Sequence, residues 1–273
     1  MVITKHEPRV PEGVDVTRPS IARIYDYLLF GKDNFAADRA AADRLMESRL
    51  DPRRLALANR GFLRRAVRFL ARQGISQFLD LGSGLPTQAN VHELAQGVAP
   101  DVRVVYVDND PVVASHGRAL LASRDRAAMA LADLRDPASV WQHPDVAGLL
   151  DWTQPIAVLC TSTLHFVADE DEPHTIIAGY RDHMAPGSYL AITHGTMEED
   201  PAGERDKAAG VYRQASSQLH VRPLADVRRF FDGFELVEPG LTWITEWQPE
   251  PGTAPTGRQH SLRGGVGRKP RAS

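Results

Sequence analysis

The sequence of 273 residues has little of several features that mark particular classes of protein. Its single cysteine, Cys160, excludes an internal disulfide and favours a reducing compartment. A formal net charge of −3 gives no general attraction to nucleic acid or to a membrane surface. Apolar runs such as IAVLC are too short to span a bilayer, and the first ten residues carry charges where a signal peptide needs an apolar core. We therefore expect a cytoplasmic protein with no membrane partner.

Short apolar runs alternate with segments that are compatible with helices. The runs are almost continuously apolar, as expected for strands that are covered on both faces. They are QFLDLG, VRVVYVD, PIAVLCTST and SYLAITHG, with a shorter one in AAMALADLRDP. This alternation predicts a mostly parallel α/β sheet with helices on both of its faces. Two later runs, FELVEPG and LTWITEW, predict an antiparallel pair at the edge of that sheet.

The two ends of the chain differ in composition from this alternating region. Residues 1–18 have no sustained periodicity, and we expect them to form a flexible arm. Residues 248–273 combine many Pro and Gly residues with basic side chains, which predicts a disordered basic tail. Between the arm and the tail we predict two units, a helical extension at 19–73 and the sheet domain at 74–247.

The extension contains signals for two of its helices. Ser20 is placed to cap a helix whose apolar residues share one face, and Gly31 is placed to end it. Asp51 followed by Pro52 marks the start of a longer helix. Arginines lie along one flank of that helix, and we interpret the flank as a solvated face rather than as a phosphate-binding surface. These arginines are Arg53, Arg60, Arg64, Arg68 and Arg72.

The first strand of the predicted sheet ends in the residues DLGSG at 80–84. Ligands of open parallel sheets bind beyond the carboxyl ends of the strands. The two glycines let the backbone approach such a ligand closely, because neither has a Cβ. A phosphate-binding turn of this kind has Gly or Ala at the position of Thr87. Asp80 would repel a pyrophosphate, whereas it suits a ligand that carries an ammonium group.

Acidic residues also follow the second and third strands. Asp108 lies 28 residues beyond Asp80, within the range for an acid that accepts hydrogen bonds from ribose hydroxyls. A cap for the helix that begins near Pro111 is the alternative role for Asp108. Asp133 could accept a hydrogen bond from an adenine amino group, with the backbone of Leu134 nearby, or could be a simple turn residue.

The fourth and fifth strands bring candidate proton acceptors to the same edge of the sheet. Thr161 and His165 follow the fourth strand, and His194 follows the fifth. Either imidazole could accept a proton, although no third residue visibly orients them and a structural role is the alternative. Asp169 is a further candidate base. Cys160 lies inside an apolar run, where burial raises the pKa of a thiol, so we do not interpret it as a nucleophile.

The spacing of the acids and glycines resembles that of a known superfamily. The ordered set Asp80-x-Gly82-x-Gly84, Asp108 and Asp133 resembles the class I S-adenosylmethionine-dependent methyltransferases, which have a Rossmann-like, seven-stranded sheet with an antiparallel edge pair. Longer runs resemble an actinobacterial S-adenosyl methyltransferase family that was once classed as a domain of unknown function. They are TRPSIARIYDYLLFGKDNFAADR, FLDLGSGLPTQANVHE, VVYVDNDPVV, ADLRDP and LHFVADEDEP. The resemblance covers roughly residues 15–247, and Phe30 departs from it, since that family has a glycine there.

The resemblance implies that S-adenosylmethionine is the cofactor. It assigns the methionyl part to the region of Asp80, the ribose to the region of Asp108 and the adenine to the region of Asp133. The implied cofactor-binding set is Asp80, Gly82, Ser83, Gly84, Asp108, Asn109, Asp133, Leu134 and Thr161. In the extension, Tyr27, Lys32 and Asn34 are implied to fold over the cofactor and to exclude water.

The methyl acceptor is predicted mainly from what is missing around the fourth strand. Enzymes that methylate the amino groups of nucleobases resemble one another in an Asp/Asn-Pro-Pro-aromatic turn, and this chain has Thr-Ser-Thr-Leu there. Methylation of cytosine C5 needs a Pro-Cys nucleophile, and Leu159 precedes Cys160. Both differences argue against nucleic acid, so we predict a small-molecule acceptor, and we predict no metal site.

Two other functions stay open at this point. One is a non-catalytic protein that binds S-adenosylmethionine or its demethylated product and acts through partners. The other is a nicotinamide-dependent oxidoreductase on a similar sheet, against which Thr87 and Asp80 both argue.

Overall fold

The computed structural model describes residues 15–48, 50–86, 90–196, 203–250 and 262–271. Thr87, most of the predicted arm and much of the predicted tail lie outside these residues. Among the described helices, none has the length and hydropathy that a bilayer crossing requires.

Eight strands and ten α-helices are present in the described ranges. The strands are β1 (Gln77–Leu81), β2 (Arg103–Asp108), β3 (Ala127–Leu131), β4 (Ala157–Thr161), β5 (Tyr189–Gly195), β6 (Glu235–Leu236), β7 (Thr242–Trp243) and β8 (Leu262–Arg268). The helices are α1 (Ile21–Leu28), α2 (Ala36–Met46), α3 (Pro52–Arg72), α4 (Val91–Gln96), α5 (Pro111–Leu121), α6 (Pro137–Gln142), α7 (Pro144–Ala147), α8 (Pro173–His183), α9 (Glu204–Tyr212) and α10 (Leu224–Arg229).

The strands form one sheet with the order β3-β2-β1-β4-β5-β8-β6, and β7 also pairs with β8. Strands β1 to β5 are parallel, and β8 is antiparallel to β5. Because β5 pairs with β8 along its whole length, β6 and β7 share the other side of β8, and the sheet has seven positions. The predicted Rossmann-like α/β fold is confirmed. The order reverses at β1, which has β2 on one side and β4 on the other, so a ligand cleft is expected at their carboxyl ends.

Strand β8 corrects two predictions about the end of the chain. It lies within residues 248–273, which were predicted to be a disordered tail, yet it is a mostly buried strand of the sheet. Strands β6 and β7 were predicted to pair with each other, and both pair with β8 instead. An antiparallel edge is therefore present as predicted, but its central strand was missed.

The composition of β8 explains why this strand was not predicted from the sequence. Its residues LRGGVGR include three glycines, which usually weaken a strand. Here they allow close packing: a Cβ at Gly264 would lie 2.9 Å from Ile244 and 3.0 Å from Phe62. A Cβ at Gly267 would lie 2.8 Å from Phe234. The neighbouring elements therefore supply the apolar surface that this strand lacks.

Successive residues of the buried strands face two different apolar cores. Phe78 packs with α3 on one face of the sheet, and Leu79 packs with α8 on the other. A third cluster lies in the extension, where α1 and α2 pack against α9. The extension thereby covers part of the sheet domain as a separate layer.

The end of α1 explains the sequence run YDYLLFGKDN. The helix ends at Leu28, and the Gly31 N–H donates to the carbonyl of Asp26 at 2.8 Å. A Cβ at Gly31 would collide with the Asp26 carboxylate, which is why this position needs a glycine. Phe30 has a φ of 63°, in the left-handed region that favours glycine. Ser20 precedes the helix as predicted, but its side chain makes no capping hydrogen bond.

Candidate functional site

A cavity of ≈ 620 Å³ lies at the carboxyl ends of the central strands. We call it the main cavity, and its volume falls within the roughly 300–1,000 Å³ that is typical of small-molecule sites. The sheet forms one wall, and the extension and α9 form the opposite wall. The structure brings many of the predicted site residues to it: Gly82, Ser83, Gly84, Asp108, Asn109, Asp133, Leu134, Thr161 and His165.

The two glycines of the first turn have different roles. Both have positive φ values, 67° at Gly82 and 66° at Gly84. A Cβ at Gly82 would collide with the side chain of Thr163, whereas a Cβ at Gly84 would meet nothing within 4 Å. Only Gly84 therefore leaves open space beside its backbone, and Gly82 serves the packing of the turn against Thr163. The open space that a close-approaching ligand would need is therefore present at Gly84 and absent at Gly82.

Asp108 is fixed by backbone amides at the tip of β2. Its Oδ2 accepts a hydrogen bond from the Gly84 N–H at 2.9 Å, and its Oδ1 accepts one from the Asp110 N–H at 3.0 Å. Burial raises the pKa of this carboxyl to about 6, although the two amides oppose the shift. The alternative role as helix cap belongs to Asp110, whose Oδ1 accepts from the Val112 N–H at 2.8 Å. Asp108 is therefore held beside the cavity and does not cap α5.

Asp133 is engaged by side chains that share its edge of the cavity. Arg135 donates to it through Nε at 3.0 Å and Nη2 at 2.6 Å, and Asn109 donates through Nδ2 at 3.3 Å. Burial raises the pKa of Asp133, but the hydrogen bonds from Arg135 and Asn109 outweigh it and the net shift is downward. The carbonyl of the neighbouring Leu134 accepts from the Tyr180 hydroxyl at 3.1 Å.

Asp80 lies behind the glycine turn rather than in the main cavity. Its side chain borders a separate void of ≈ 20 Å³, on the face of the sheet where Tyr106 also points. It is 4% exposed and forms no hydrogen bond with the described residues. Burial raises its pKa to about 7, and the positive charge of Arg60 opposes that shift. Arg60 lines both the void and the main cavity, so its assignment to a solvated flank is wrong.

His194 and Asp169 are placed where neither can act as the predicted base. The His194 Nδ1 is 2.7 Å from the Gly195 carbonyl, and its Nε2 is 2.9 Å from Nη1 of Arg222, so both ring nitrogens are engaged. Burial lowers the pKa of His194 to about 3. Arg222 in turn donates through Nη2 to Asp169 at 2.6 Å, and neither His194 nor Asp169 lines the main cavity. The three side chains form a structural clamp behind the end of β5.

His165 is the predicted base that does line the main cavity. Its Nδ1 accepts a long hydrogen bond, 3.4 Å, from the Gly195 N–H. Burial, followed by the neighbouring His194 and Arg222, lowers the pKa of His165 well below its ordinary value. The ring is therefore neutral at pH 7, with its proton on Nε2. This Nε2 forms no hydrogen bond with the described residues.

The extension covers the main cavity through side chains other than those predicted. Tyr27 directs its hydroxyl to Asp43 at 3.3 Å, Lys32 is exposed, and the Asn34 amide donates to Asp26 at 2.8 Å. None of the three predicted residues lines the cavity. The side chains of the extension that do line it include Ser20, Arg23, Tyr25, Leu28, Leu45, Asn59 and Arg60. The helical phase of α1 could have indicated Tyr25, which lies on the same face as Ile21 and Leu28.

A set of polar contacts fastens α1 to the loop after β2. Ser20 Oγ donates to Oδ2 of Asp110 at 2.6 Å, and Arg23 Nη1 lies 3.8 Å from the same atom. Arg23 Nε also donates to Asp38 at 2.8 Å, and Asp38 accepts from the Ser20 N–H at 2.8 Å. These four residues join the extension to the loop that carries Asp108. The run TRPSIAR contains two of them, Ser20 and Arg23.

Comparison with known proteins gives a family match over almost the whole chain. A family model described as S-adenosyl methyltransferase matches residues 7–270. A crystal structure from Thermobifida fusca, of a protein provisionally assigned as a methyltransferase, is 43% identical, covers 97% of this chain and 100% of its own, and has a TM-score of 0.90. A DUF574 family protein from Streptomyces avermitilis is 40% identical, with coverages of 94% and 99% and a TM-score of 0.87.

A more distant likeness concerns the fold alone. An O-methyltransferase family protein from Burkholderia thailandensis is 18% identical, with coverages of 84% of this chain and 64% of its own and a TM-score of 0.50. Among curated proteins, none matches this chain.

Proposed function

The chain belongs to the S-adenosyl methyltransferase family, and on this premise we propose that it transfers the methyl group of S-adenosylmethionine to a small molecule bound in the main cavity. The observation that carries the proposal is the pairing of Gly84 and Asp108 at the cavity wall. The Gly84 N–H holds the Asp108 carboxylate at 2.9 Å, and the space beside the Gly84 backbone is open. A carboxylate fixed in this way can accept hydrogen bonds from both ribose hydroxyls.

The other residues around the cavity fit the remaining parts of the cofactor. Asp133 and the backbone of Leu134 are proposed to contact the adenine, with Asn109 beside them. Arg60 supplies a positive charge on the cavity side of the glycine turn, which suits the methionyl carboxylate. Asp80 lies in the adjoining void, so its proposed effect on the ammonium group is through its charge and not through direct contact.

Methyl transfer from S-adenosylmethionine needs few catalytic groups from the protein. S-adenosylmethionine supplies a methyl group bound to a positively charged sulfur. The neutral thioether that forms when the methyl group is transferred is a good leaving group. The side chains therefore need to align the acceptor and to exclude water, and alignment alone can supply about 7–11 kcal/mol in favourable cases. The helices of the extension, fastened by Ser20 and Arg23, close the cavity on the side away from the sheet.

The cavity offers no strong base for the acceptor. His165 lines it, but burial keeps the pKa of His165 well below its ordinary value, so it is a weak proton acceptor at pH 7. We propose that His165 contacts the acceptor, and we do not assign this role to His194 or Asp169.

Two measurements test the proposed function. The first is calorimetric titration with S-adenosylhomocysteine, for which we expect binding, with an affinity at least about tenfold weaker in Asp108→Asn because two hydroxyl contacts are weakened. Asp125→Asn, at an exposed position, is the matched control. The second is transfer of labelled methyl from S-adenosylmethionine to pools of small molecules. Binding of the nucleoside without transfer to any pool would favour the non-catalytic alternative, and no binding would refute both.

Three further features remain proposals. We propose that residues 19–73 act as a lid and that the sheet domain consists of residues 74–247 together with β8. The cytoplasmic location also stays a prediction.

A further inference from the structure

The main cavity extends beyond the proposed cofactor residues into an apolar region under the extension. We call this region the acceptor chamber, and its walls come from α1, α2, α9 and the turns after β4 and α9. The lining side chains are Tyr25, Leu28, Leu45, Phe166, Tyr212 and Leu219. Its position beside the cofactor residues makes it the place for a methyl acceptor, and this inference rests on the proposed function.

Charged side chains on the extension side of the main cavity are either paired or at its rim. Arg23 is buried against Asp38 at 2.8 Å. Arg60 lines the cavity at the glycine turn, where we assign it to the methionyl carboxylate and where its charge also opposes the rise in the pKa of Asp80. Asp15 and Arg18 are exposed at the rim, where Asp15 accepts from the Thr17 hydroxyl at 2.6 Å and Arg18 Nη2 donates to the Ala215 carbonyl at 2.8 Å. The described part of the acceptor chamber therefore holds no charge that could balance an ionic acceptor, and burial of an unpaired ion is strongly unfavourable.

Aromatic rings form one end of the acceptor chamber. The Phe166 ring packs edge to face against two others, with centroid distances of 4.6 Å to His165 and 5.1 Å to Tyr212. Tyr25 also lines the cavity, and after burial it is the second cause of the raised pKa of Tyr212. Such a cluster offers faces and edges that favour a planar aromatic ligand over an aliphatic one of similar size.

Two polar atoms of this cluster have no partner in the described part of the chain. They are His165 Nε2 and the Tyr212 hydroxyl. His165 carries its proton on Nε2, because Nδ1 accepts from the Gly195 N–H. Burial raises the pKa of Tyr212, so its hydroxyl keeps its proton as well. Both groups can therefore donate, and donors whose rings pack against the same phenylalanine suit an oxygen atom of a neutral ligand.

We propose that the acceptor chamber binds a planar, uncharged aromatic molecule with a hydroxyl or carbonyl oxygen, and that His165 and Tyr212 contact this oxygen. The aromatic cluster binds the ring system, and the apolar side chains of α1 and α2 cover its opposite face. A carboxylate or an ammonium group on the same ring system would enter the chamber without a counter-charge.

The test uses three naphthalene probes of similar size and different charge. Protein saturated with S-adenosylhomocysteine is titrated with 1-naphthol, with 1-naphthoate and with 1-naphthylmethylammonium. We expect 1-naphthol to bind at least about tenfold more tightly than either ion, because only the ions lose their hydration without compensation. Equal or tighter binding of an ion overturns the inference, as does failure of 1-naphthol to bind. The preceding titration with S-adenosylhomocysteine separates this failure from a failure of the proposed function.

Variants connect the binding to the named side chains. Tyr212→Phe should weaken 1-naphthol binding about fivefold through the lost hydroxyl contact, and it should leave binding of naphthalene itself unchanged. Leu28→Asp adds a buried charge to the chamber wall and should abolish binding of both probes. Tyr27→Ala is the matched control, because Tyr27 lies on the same helix outside the cavity. Unchanged 1-naphthol affinity in Tyr212→Phe, or an equal loss in Tyr27→Ala, contradicts the assignment.

Discussion

The Oγ of Ser20 donates a 2.6 Å hydrogen bond to Oδ2 of Asp110, across 90 residues of sequence. Ser20 begins the first helix of the extension, and Asp110 caps the helix after β2, two residues beyond Asp108. The bond therefore couples the cover of the cavity to the loop that carries the proposed ribose acceptor. It also explains why Ser20 stands at a helix start without capping it.

Loss of this bond should weaken cofactor binding more than it weakens the fold. A hydrogen bond to a charged group contributes about 1.5–3 kcal/mol, so Ser20→Ala should reduce affinity for S-adenosylhomocysteine by roughly tenfold or more. Hydrogen exchange should accelerate in α1 at the same time. Ser76→Ala, at an exposed serine in the turn before β1, is the control and should change neither quantity. Unaltered affinity and exchange in Ser20→Ala would show that the extension is not fastened through this contact.

The two glycines of the first turn should respond differently to the same substitution. Gly82→Ala forces a Cβ into Thr163 at a positive φ, and we expect a loss of roughly 2–4 kcal/mol in the free energy of unfolding. Gly84→Ala adds a Cβ in open space, so it should cost only about 1 kcal/mol from its backbone conformation, yet it should abolish binding of S-adenosylhomocysteine. Urea unfolding and calorimetry measure the two effects. Equal destabilisation by both substitutions would contradict their separate roles.

The buried carboxyl of Asp80 should leave a signature in the pH dependence of stability. Its pKa is raised from 3.8 to about 7 by burial, so between these values the folded state holds a proton that the unfolded state has lost. Stability therefore falls as pH rises through this window. Asp80→Asn lacks this titration, and its free energy of unfolding should rise relative to the wild type between pH 5 and pH 8, by an amount on the order of a few kcal/mol.

Urea unfolding at the two pH values gives this difference directly. The exposed Asp125→Asn serves as the control, with no expected change in the difference between the variant and the wild type. A difference for Asp80→Asn that stays constant, or that falls with pH, would mean that the Asp80 carboxyl is ionised throughout.

Phe30 occupies a position whose backbone favours glycine. Its φ is 63°, its side chain is 66% exposed, and its ring lies 4.5 Å from the guanidinium of Arg53. Phe30→Gly and Phe30→Ala both remove the ring, but only alanine keeps a Cβ in the left-handed conformation. We expect the glycine variant to be the more stable of the two by about 1 kcal/mol in chemical denaturation.

The same pair of substitutions at Leu57 provides the contrast. Leu57 is an exposed residue inside α3, where alanine should be more stable than glycine by about 0.5–1 kcal/mol. If the order of stability is the same at both positions, the conformation of Phe30 is not the cause.

The central sheet and the acids at its edge could be predicted because both depend on local patterns. Runs of buried residues specify the parallel strands, and an acid directly after a strand must lie at the carboxyl edge of the sheet. Asp108 and Asp133 were placed correctly at this edge for that reason. The position of Gly84 follows from the same argument.

The features that sequence reasoning missed depend on contacts between distant segments. Strand β8 has three glycines, and its burial comes from Phe62, Ile244 and Phe234, which no local pattern associates with it. His194 was predicted as a possible base, but its second ring nitrogen contacts Arg222, which lies 28 residues away in the sequence. Arg60 was grouped with four other arginines of α3, although it lines the cavity and its charge acts on the buried carboxyl of Asp80. In each case, the role of the residue or strand depends on a contact with a segment that is distant in the sequence.

The most direct measurement of the central claim is a crystal structure of the protein with S-adenosylhomocysteine. We predict that the ribose hydroxyls will lie within hydrogen-bond distance of the Asp108 carboxylate, beside the Gly84 backbone, with the adenine next to Leu134. A nucleoside bound elsewhere, or bound in the main cavity with its ribose away from Asp108, would contradict the account.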